Sequence, residues 1–345
     1  MAQIVALPRT KEDRFMANVV ALPKKHIDVP SRFVTFVVPA PSDCNLDCPG
    51  CVSYERHEDV PVLWSESDYR QVARDCVISG GAQYVTIQAI EPLLPVAMPY
   101  TSALMHEVHA LRMAGYDVGS SIITNGSYIS EYVGTLAWMV GTLGTDVHFT
   151  IVGAEASVHD RWRRQRHKKD RSAFADLMQG LTGAHKTLVP GTTSLLTDHM
   201  TAVIVLLPRK QGLADSVAGI PRLLKSKGIK RAVAQPFIVI NDAEPGKLVD
   251  RAECQATLEV LMSECNKYDI LFEVDDLDQA LQNHDVDLSD FLVQTNTKPF
   301  GRWLPNGRLT TASDFMRAQS DELPQWLPNR QGPTPGELFA QHIVE

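Results

Sequence analysis

From Phe33 to Val239 the chain alternates short apolar runs with longer stretches in which apolar and polar residues mix. The runs are 33-FVTFVVPA-40, 84-YVTIQ-88, 119-GSSIIT-124, 146-DVHFTIVG-153, 200-MTAVIVLL-207 and 231-RAVAQPFIV-239. Each has the length of a strand and is nearly continuous in apolar residues, as expected of a parallel sheet covered on both faces. Between them apolar positions recur at helical spacing near 66–79, 97–114, 128–143, 172–187, 211–227 and 250–267, which predicts six helices. The first puts Tyr69, Val72, Ala73, Cys76 and Val77 on one face. It starts behind Ser65, three residues before Asp68, and stops at Gly80-Gly81, the chemistry of an N-cap and a C-terminal stop. Six strand-then-helix units define an α/β fold on a parallel sheet, either open or closed into a full or partial barrel. In both arrangements the working edge lies at the C-terminal ends of the strands.

That repeat divides the chain into an N-terminal arm over 1–32, a (β/α) core over 33–270 and a C-terminal extension over 271–345 that covers the barrel. In the arm, 1-MAQIVALPRT-10 resembles 16-MANVVALPKK-25, a two-copy echo too short for a solenoid. In the extension, 270-ILFEV-274 predicts a further strand and 274-VDDLDQALQNHDVDLSD-290 is acidic. The segment 300-FGRWLPNGRLTT-311 predicts a hairpin turning at Asn306-Gly307, and 323-LPQWLPNRQGPTPG-336 reads as surface chain.

Composition narrows the function classes. The 345 residues are 44% hydrophobic and 21% charged, ordinary for a soluble globular protein with a large core. A formal net charge of −8 argues against general affinity for nucleic acid or anionic membranes. No run reaches the length of a membrane span, and 1-MAQIVALPRTKEDRF-15 lacks a signal-peptide core, so the expected location is the cytoplasm. In that reducing compartment six cysteines point to metal or catalytic work before disulfides. Three of them are expected in the core: Cys76 on the first helical stripe, and Cys254 and Cys265 bracketing a stripe with Leu258, Leu261 and Met262.

The other three form 44-CNLDCPGC-51, directly after the first apolar run. Three thiolates are one short of the four ligands that a closed zinc site or a fully ligated iron–sulfur cube takes. Further unusual stretches follow the next strands: 88-QAIEPLL-94 after the second, 123-ITNGS-127 at the third and 149-FTIVGAEASVHDRWRR-164 at the fourth. In this order they resemble the radical S-adenosylmethionine (radical SAM) enzymes over roughly residues 33–240. The resemblance implies a partial (β/α)6 TIM-like barrel in which Cys44, Cys48 and Cys51 hold three irons of one 4Fe–4S cluster. The fourth iron is then left to the amino and carboxylate groups of SAM, and reductive cleavage of SAM yields a 5′-deoxyadenosyl radical. By the same resemblance Glu91, Asn125, Thr150, Arg161 and Arg164 are candidate cofactor-binding residues. The resemblance further implies a flavodoxin- or ferredoxin-type electron donor and a small biosynthetic metabolite as substrate, with peptide modification as the alternative. The sequence departs from the family at Ala89 and Ile90, which stand where two glycines usually precede the Glu-Pro pair. It departs again at Gly50, where an aromatic residue is common.

Blander readings stand beside these. His57 follows Cys51 closely enough for a Cys3His zinc site in a binding protein built on Cys44, Cys48, Cys51 and His57. The pair 48-CPGC-51 has the spacing of a redox dithiol. Glu91 could cap the helix that follows, Asn125 could serve only the turn at Gly126, and Thr150 could only pack. His159 and Asp160 suit a helix start. The run 159-HDRWRRQRHKKDR-171, with seven Lys or Arg against two Asp, is either a solvated helix or an anion site. It lacks the interleaved aromatics of a nucleic-acid platform.

Overall fold

The structure is a computed structural model. It describes residues 35–38, 44–48, 65–88, 91–165, 171–206, 217–236, 238–239, 247–248, 251–276, 292–295, 300–303 and 309–311. The arm, the cover segment 323–336, the Asn306-Gly307 turn and residues 277–290 of the acidic stretch lie outside the described residues.

The chain runs β1 (Thr35–Val38), β2 (Leu46–Asp47), α1 (Glu66–Arg74), β3 (Tyr84–Ile87), α2 (Met98–Met113), β4 (Gly119–Thr124), α3 (Ile129–Trp138) and β5 (Thr145–Ile151). It continues through α4 (Ala156–Trp162), β6 (Arg164–Gln165), α5 (Ala173–Ala184), β7 (Met200–Leu206), α6 (Ile220–Ser226), β8 (Arg231–Pro236), β9 (Ile238–Val239) and β10 (Lys247–Leu248). The last elements are α7 (Arg251–Lys267), β11 (Leu271–Asp276), β12 (Leu292–Thr295), β13 (Phe300–Trp303) and β14 (Leu309–Thr311). One sheet carries ten of these strands in the order β12-β11-β8-β7-β5-β4-β3-β1-β13-β14. Its centre is the six expected strands in strict chain order, all parallel, the winding of a (β/α)6 partial barrel. The C-terminal strands extend both edges. β11 and β12 add in parallel beyond β8, while β13 returns to lie parallel to β1, Phe300 against Thr35. The expected hairpin is present as β13 and β14, antiparallel with Trp303 opposite Leu309. Sequence patterning missed β12 and the docking of β13 on β1.

One sheet face is the core. Val85, Ile87, Ile122, Val147, Phe149, Ile151, Met200, Ala202, Ile204, Ala232 and Ala234 are buried on it and belong to one cluster with the helices. The stripe Tyr69, Val72, Ala73, Cys76 and Val77 is buried in that cluster, as are Cys254, Leu258, Leu261 and Cys265 of α7. Burial also raises the thiols of Cys254 and Cys265, to about 11 and about 12, which keeps them neutral packing groups. At α1 the expected cap is a full capping box: Ser65 Oγ accepts from Asp68 N, and Asp68 Oδ2 accepts from Ser65 N at 2.7 Å.

The other face differs from expectation. It presents Tyr84 and Thr86 of β3, Ser121 of β4, Asp146, His148 and Thr150 of β5, Thr201 of β7 and Arg231 of β8, in register across the sheet. Two apolar faces were expected; this one sets those polar residues among Ile123, Val203 and Val233, because a barrel turns it inward instead of laying it against helices. Its hydroxyls satisfy one another, Thr86 Oγ1 and Ser121 Oγ lying 2.9 Å apart. The Tyr84 ring lies across Gly119 and its hydroxyl donates to Asp146 Oδ2 two strands away, at 2.6 Å. A Cβ on Gly119 would meet that ring at 2.4 Å, so the bond requires the glycine.

Candidate active site

Cys44, Glu91 and Asn125 follow β1, β3 and β4, so the parallel winding brings them to one edge of the sheet. Hydrogen bonds join the three loops. Glu91 is 1% exposed, and its Oε1 accepts from Leu93 N at 2.9 Å and from Thr124 Oγ1 at 2.6 Å. Its Oε2 accepts from Asn125 N at 2.7 Å, which leaves acceptor capacity on that oxygen. Burial pushes the Glu91 carboxyl up to about 7, against the opposing pull of these donors and of the Arg163 charge. Glu91 therefore ties the β3 loop to the β4 loop and does not cap the next helix, which begins seven residues later at Met98.

The sequence 124-TNG-126 has a separate physical role for each residue. Thr124 Oγ1 donates to Glu91 and accepts from Gly126 N at 3.0 Å. Gly126 turns the chain at φ +86°, with Leu177 so close that a Cβ would meet Cδ1 at 2.4 Å. Asn125 Oδ1 accepts from Ser127 N at 2.9 Å, and its Nδ2 donates to Asn45 Oδ1 at 2.9 Å and lies 3.7 Å from Cys44 Sγ. Thr150 is buried, its hydroxyl reaching Thr124 O at 3.4 Å.

The cysteine loop is fastened from a second side. β2 pairs antiparallel with β6, Leu46 opposite Gln165 and Asp47 opposite Arg164. Asn45 Nδ2 donates to Gln165 Oε1 at 3.3 Å, Gln165 Nε2 to Asp176 Oδ2 at 3.1 Å, and Arg171 Nε bonds the same carboxylate. The start of the basic run is thus a clamp on the cysteine loop. Arg161 and Arg164 are exposed, and Arg164 Nε donates to Arg161 O. Among the described residues the cation whose charge reaches Glu91 is the half-buried Arg163, which sequence reading passed over. Asp160 caps α5 through Ser172 Oγ and Phe174 N rather than starting its own helix. His159 is fully buried against the Phe174 ring, and burial lowers it to about 3.

Cys44 and Cys48 are half-buried at this edge. Cys51, His57, Gly50, Ala89, Ile90 and residues 166–170 lie outside the described residues. Among the described residues no three His, Cys, Asp or Glu converge on a metal-sized site. What the loop does show is a sulfur supplied with N–H donors: Leu46 N is 3.5 Å and Asn125 Nδ2 3.7 Å from Cys44 Sγ. Donors of this kind suit a thiolate that carries charge, as a cluster ligand does.

No family model and no curated protein matches the chain. Solved structures do. One, anSMEcpe with bound AdoMet (SAM), superposes with a TM-score of 0.61 at 14% identity, covering 89% of this chain and 80% of that one. Streptococcus suis SuiB bound to precursor peptide SuiA gives 0.59 at 13% identity over 90% of this chain, which spans only 64% of SuiB. HydG, a maturase of the FeFe-hydrogenase, gives 0.53 at 12% identity, covering 76% of this chain and 56% of that one. These proteins are radical SAM enzymes. At such identities the likeness is one of fold, and the fold of this chain is a partial (β/α)6 barrel like theirs.

Proposed function

We propose that the chain is a radical SAM enzyme in which Cys44, Cys48 and Cys51 hold one 4Fe–4S cluster. The observation that carries this reading is the bonded path Cys44–Asn125–Glu91, which links the loops after β1, β4 and β3 at the catalytic edge of the fold. The bound cluster and SAM supply reductive cleavage of a sulfonium and a 5′-deoxyadenosyl radical. The chain's own residues place and shield the site: Glu91 offers its remaining Oε2 acceptor to the SAM ammonium, and Arg163, whose charge acts on Glu91, is the cation offered to a carboxylate. Thr150 holds the β4 loop through its carbonyl. Electron entry requires a low-potential donor of flavodoxin or ferredoxin type.

Two substrate classes fit. A small biosynthetic metabolite suits a chain with a single set of cluster cysteines. A peptide is favoured by the fold neighbours, since SuiB is described with a precursor peptide and anSMEcpe with the Cp18Cys peptide.

Anaerobic reconstitution tests the reading. The expected protein is brown, with about four irons and four sulfides per chain. With dithionite and SAM it releases 5′-deoxyadenosine, and Cys48→Ala abolishes that release. Recovery of one zinc per chain, with no nucleoside formed, would return Cys44, Cys48, Cys51 and His57 to a structural metal site.

A further inference from the structure

We infer that Asn125 is a positioning residue that sets the reduction potential of the iron–sulfur site through an N–H···S bond to Cys44, and is not a ligand of SAM. The inference rests on the radical SAM reading above.

The side-chain amide of Asn125 is already committed. One Nδ2 hydrogen goes to Asn45 Oδ1 at 2.9 Å, the other points to Cys44 Sγ at 3.7 Å, and Oδ1 receives Ser127 N at 2.9 Å. These partners also fix which way the amide faces. Turned over, Oδ1 would meet the Asn45 oxygen, another acceptor, while the NH2 group would meet the Ser127 N–H. Asn45 is held in turn by Gln165 and, through it, by Asp176 and Arg171. Asn125 is 7% exposed, so water does not compete strongly for its donor.

The protonation state of Cys44 sharpens the contact. As a thiol, its Sγ donates to Asn45 Oδ1 at 3.9 Å. Metal binding removes that proton and leaves the sulfur an acceptor only, with Leu46 N and Asn125 Nδ2 as donors aimed at it. Reduction is a one-electron step: the donor protein loses one electron, and the site gains one negative charge shared by the ligand sulfurs. No proton needs to move. A donor to a ligand sulfur stabilises the more negative state, so Asn125 eases electron entry, and its removal makes reduction harder.

The test uses the full chain, reconstituted anaerobically and titrated with a redox mediator while the reduced cluster is followed by electron paramagnetic resonance. Asn125→Ala should shift the one-electron equilibrium about tenfold toward the oxidised state, a fall of about 59 mV. Asn125→Asp, which keeps the acceptor for Ser127 but exchanges the donor for a negative charge, should shift it further in the same direction. A midpoint unmoved in Asn125→Ala overturns the inference. If neither variant assembles a cluster, wild-type protein carrying 15N only in asparagine side-chain amides decides it. The reduced cluster should then show a 15N hyperfine coupling in pulsed spectra, and no coupling overturns the inference. Wild-type protein that releases 5′-deoxyadenosine while either result is negative leaves the radical SAM reading standing and removes only the role of Asn125. Wild-type protein with no 4Fe–4S cluster removes both.

Discussion

Glu91→Gln probes the most unusual electrostatic feature of the site. Burial holds the Glu91 carboxyl at about 7 in the folded chain, against an ordinary 4.5. The sign follows from linkage. A carboxyl raised on folding favours the protonated folded state, so its contribution is fully present below 4.5 and is lost as pH rises through 7. Between pH 5 and pH 8 the folded apoprotein should therefore lose about 2 to 3 kcal/mol relative to a chain whose residue 91 does not titrate. Gln cannot ionise, but its NH2 group must face either Asn125 N or the pair Leu93 N and Thr124 Oγ1, leaving a buried donor unmet at a cost of about 1–3 kcal/mol. The variant should be clearly weaker than wild type at pH 5 and close to it, or stronger, at pH 8. Urea unfolding of both apoproteins at pH 5, 6, 7 and 8 reads this directly, with the difference between the two shrinking along the series. Parallel curves across the whole range would show that Glu91 does not change charge there, and would refute the account of its burial.

Other outcomes follow from the same geometry. If Glu91 receives the SAM ammonium, binding should pull the carboxyl below its apo value and release close to one proton per SAM at pH 6 but little at pH 8. Calorimetry in two buffers of different ionisation enthalpy measures this, and equal observed heats in the two buffers at pH 6 would refute it. Arg163→Ala should weaken SAM binding by about tenfold, the scale of one charge-assisted bond, while Arg161→Ala and Arg164→Ala should each change it less than about twofold because exposed cations are screened. Equal effects of all three in an equilibrium binding assay would return the site to the exposed face of the basic run. Gly119→Val should displace the Tyr84 ring and break its bond to Asp146, costing about 1–3 kcal/mol in urea unfolding. A variant as stable as wild type would place the ring elsewhere.

The parts of the fold that depend on local pattern were legible in the sequence. The six central strands, the buried faces of α1 and α7 with Cys76, Cys254 and Cys265, and the capping box at Ser65 all follow from spacing along a few turns of chain. The convergence of the cysteine loop, Glu91 and 124-TNG-126 was legible too, because parallel winding sends every strand's C-terminal end to the same edge. What the side chains do at that edge was not. Asn125 and Cys44 are 81 residues apart, and no periodicity says that an amide will bridge a sulfur, another asparagine and a backbone N–H at once. Nor does spacing say that Arg163 is half-buried while Arg161 and Arg164 are exposed, since a helix ending at Trp162 leaves the following residues to a backbone geometry that only the β2–β6 pairing defines.

The polar inner face is a different kind of miss, because its signal was present. Tyr84 and Thr86 alternate on β3 and Asp146, His148 and Thr150 on β5, while β4 and β7 give the same face Ser121 beside Ile123 and Thr201 beside Val203. That alternation bears on the one topological choice left open by the sequence. An open doubly wound sheet lays helices on both faces and would bury the Asp146 carboxylate, exposed here, beneath them. A barrel turns the same face toward itself, where Thr86 meets Ser121 at 2.9 Å and Tyr84 reaches Asp146 over Gly119. Polar and charged residues recurring on one face of otherwise apolar parallel strands therefore favour a barrel over an open sheet.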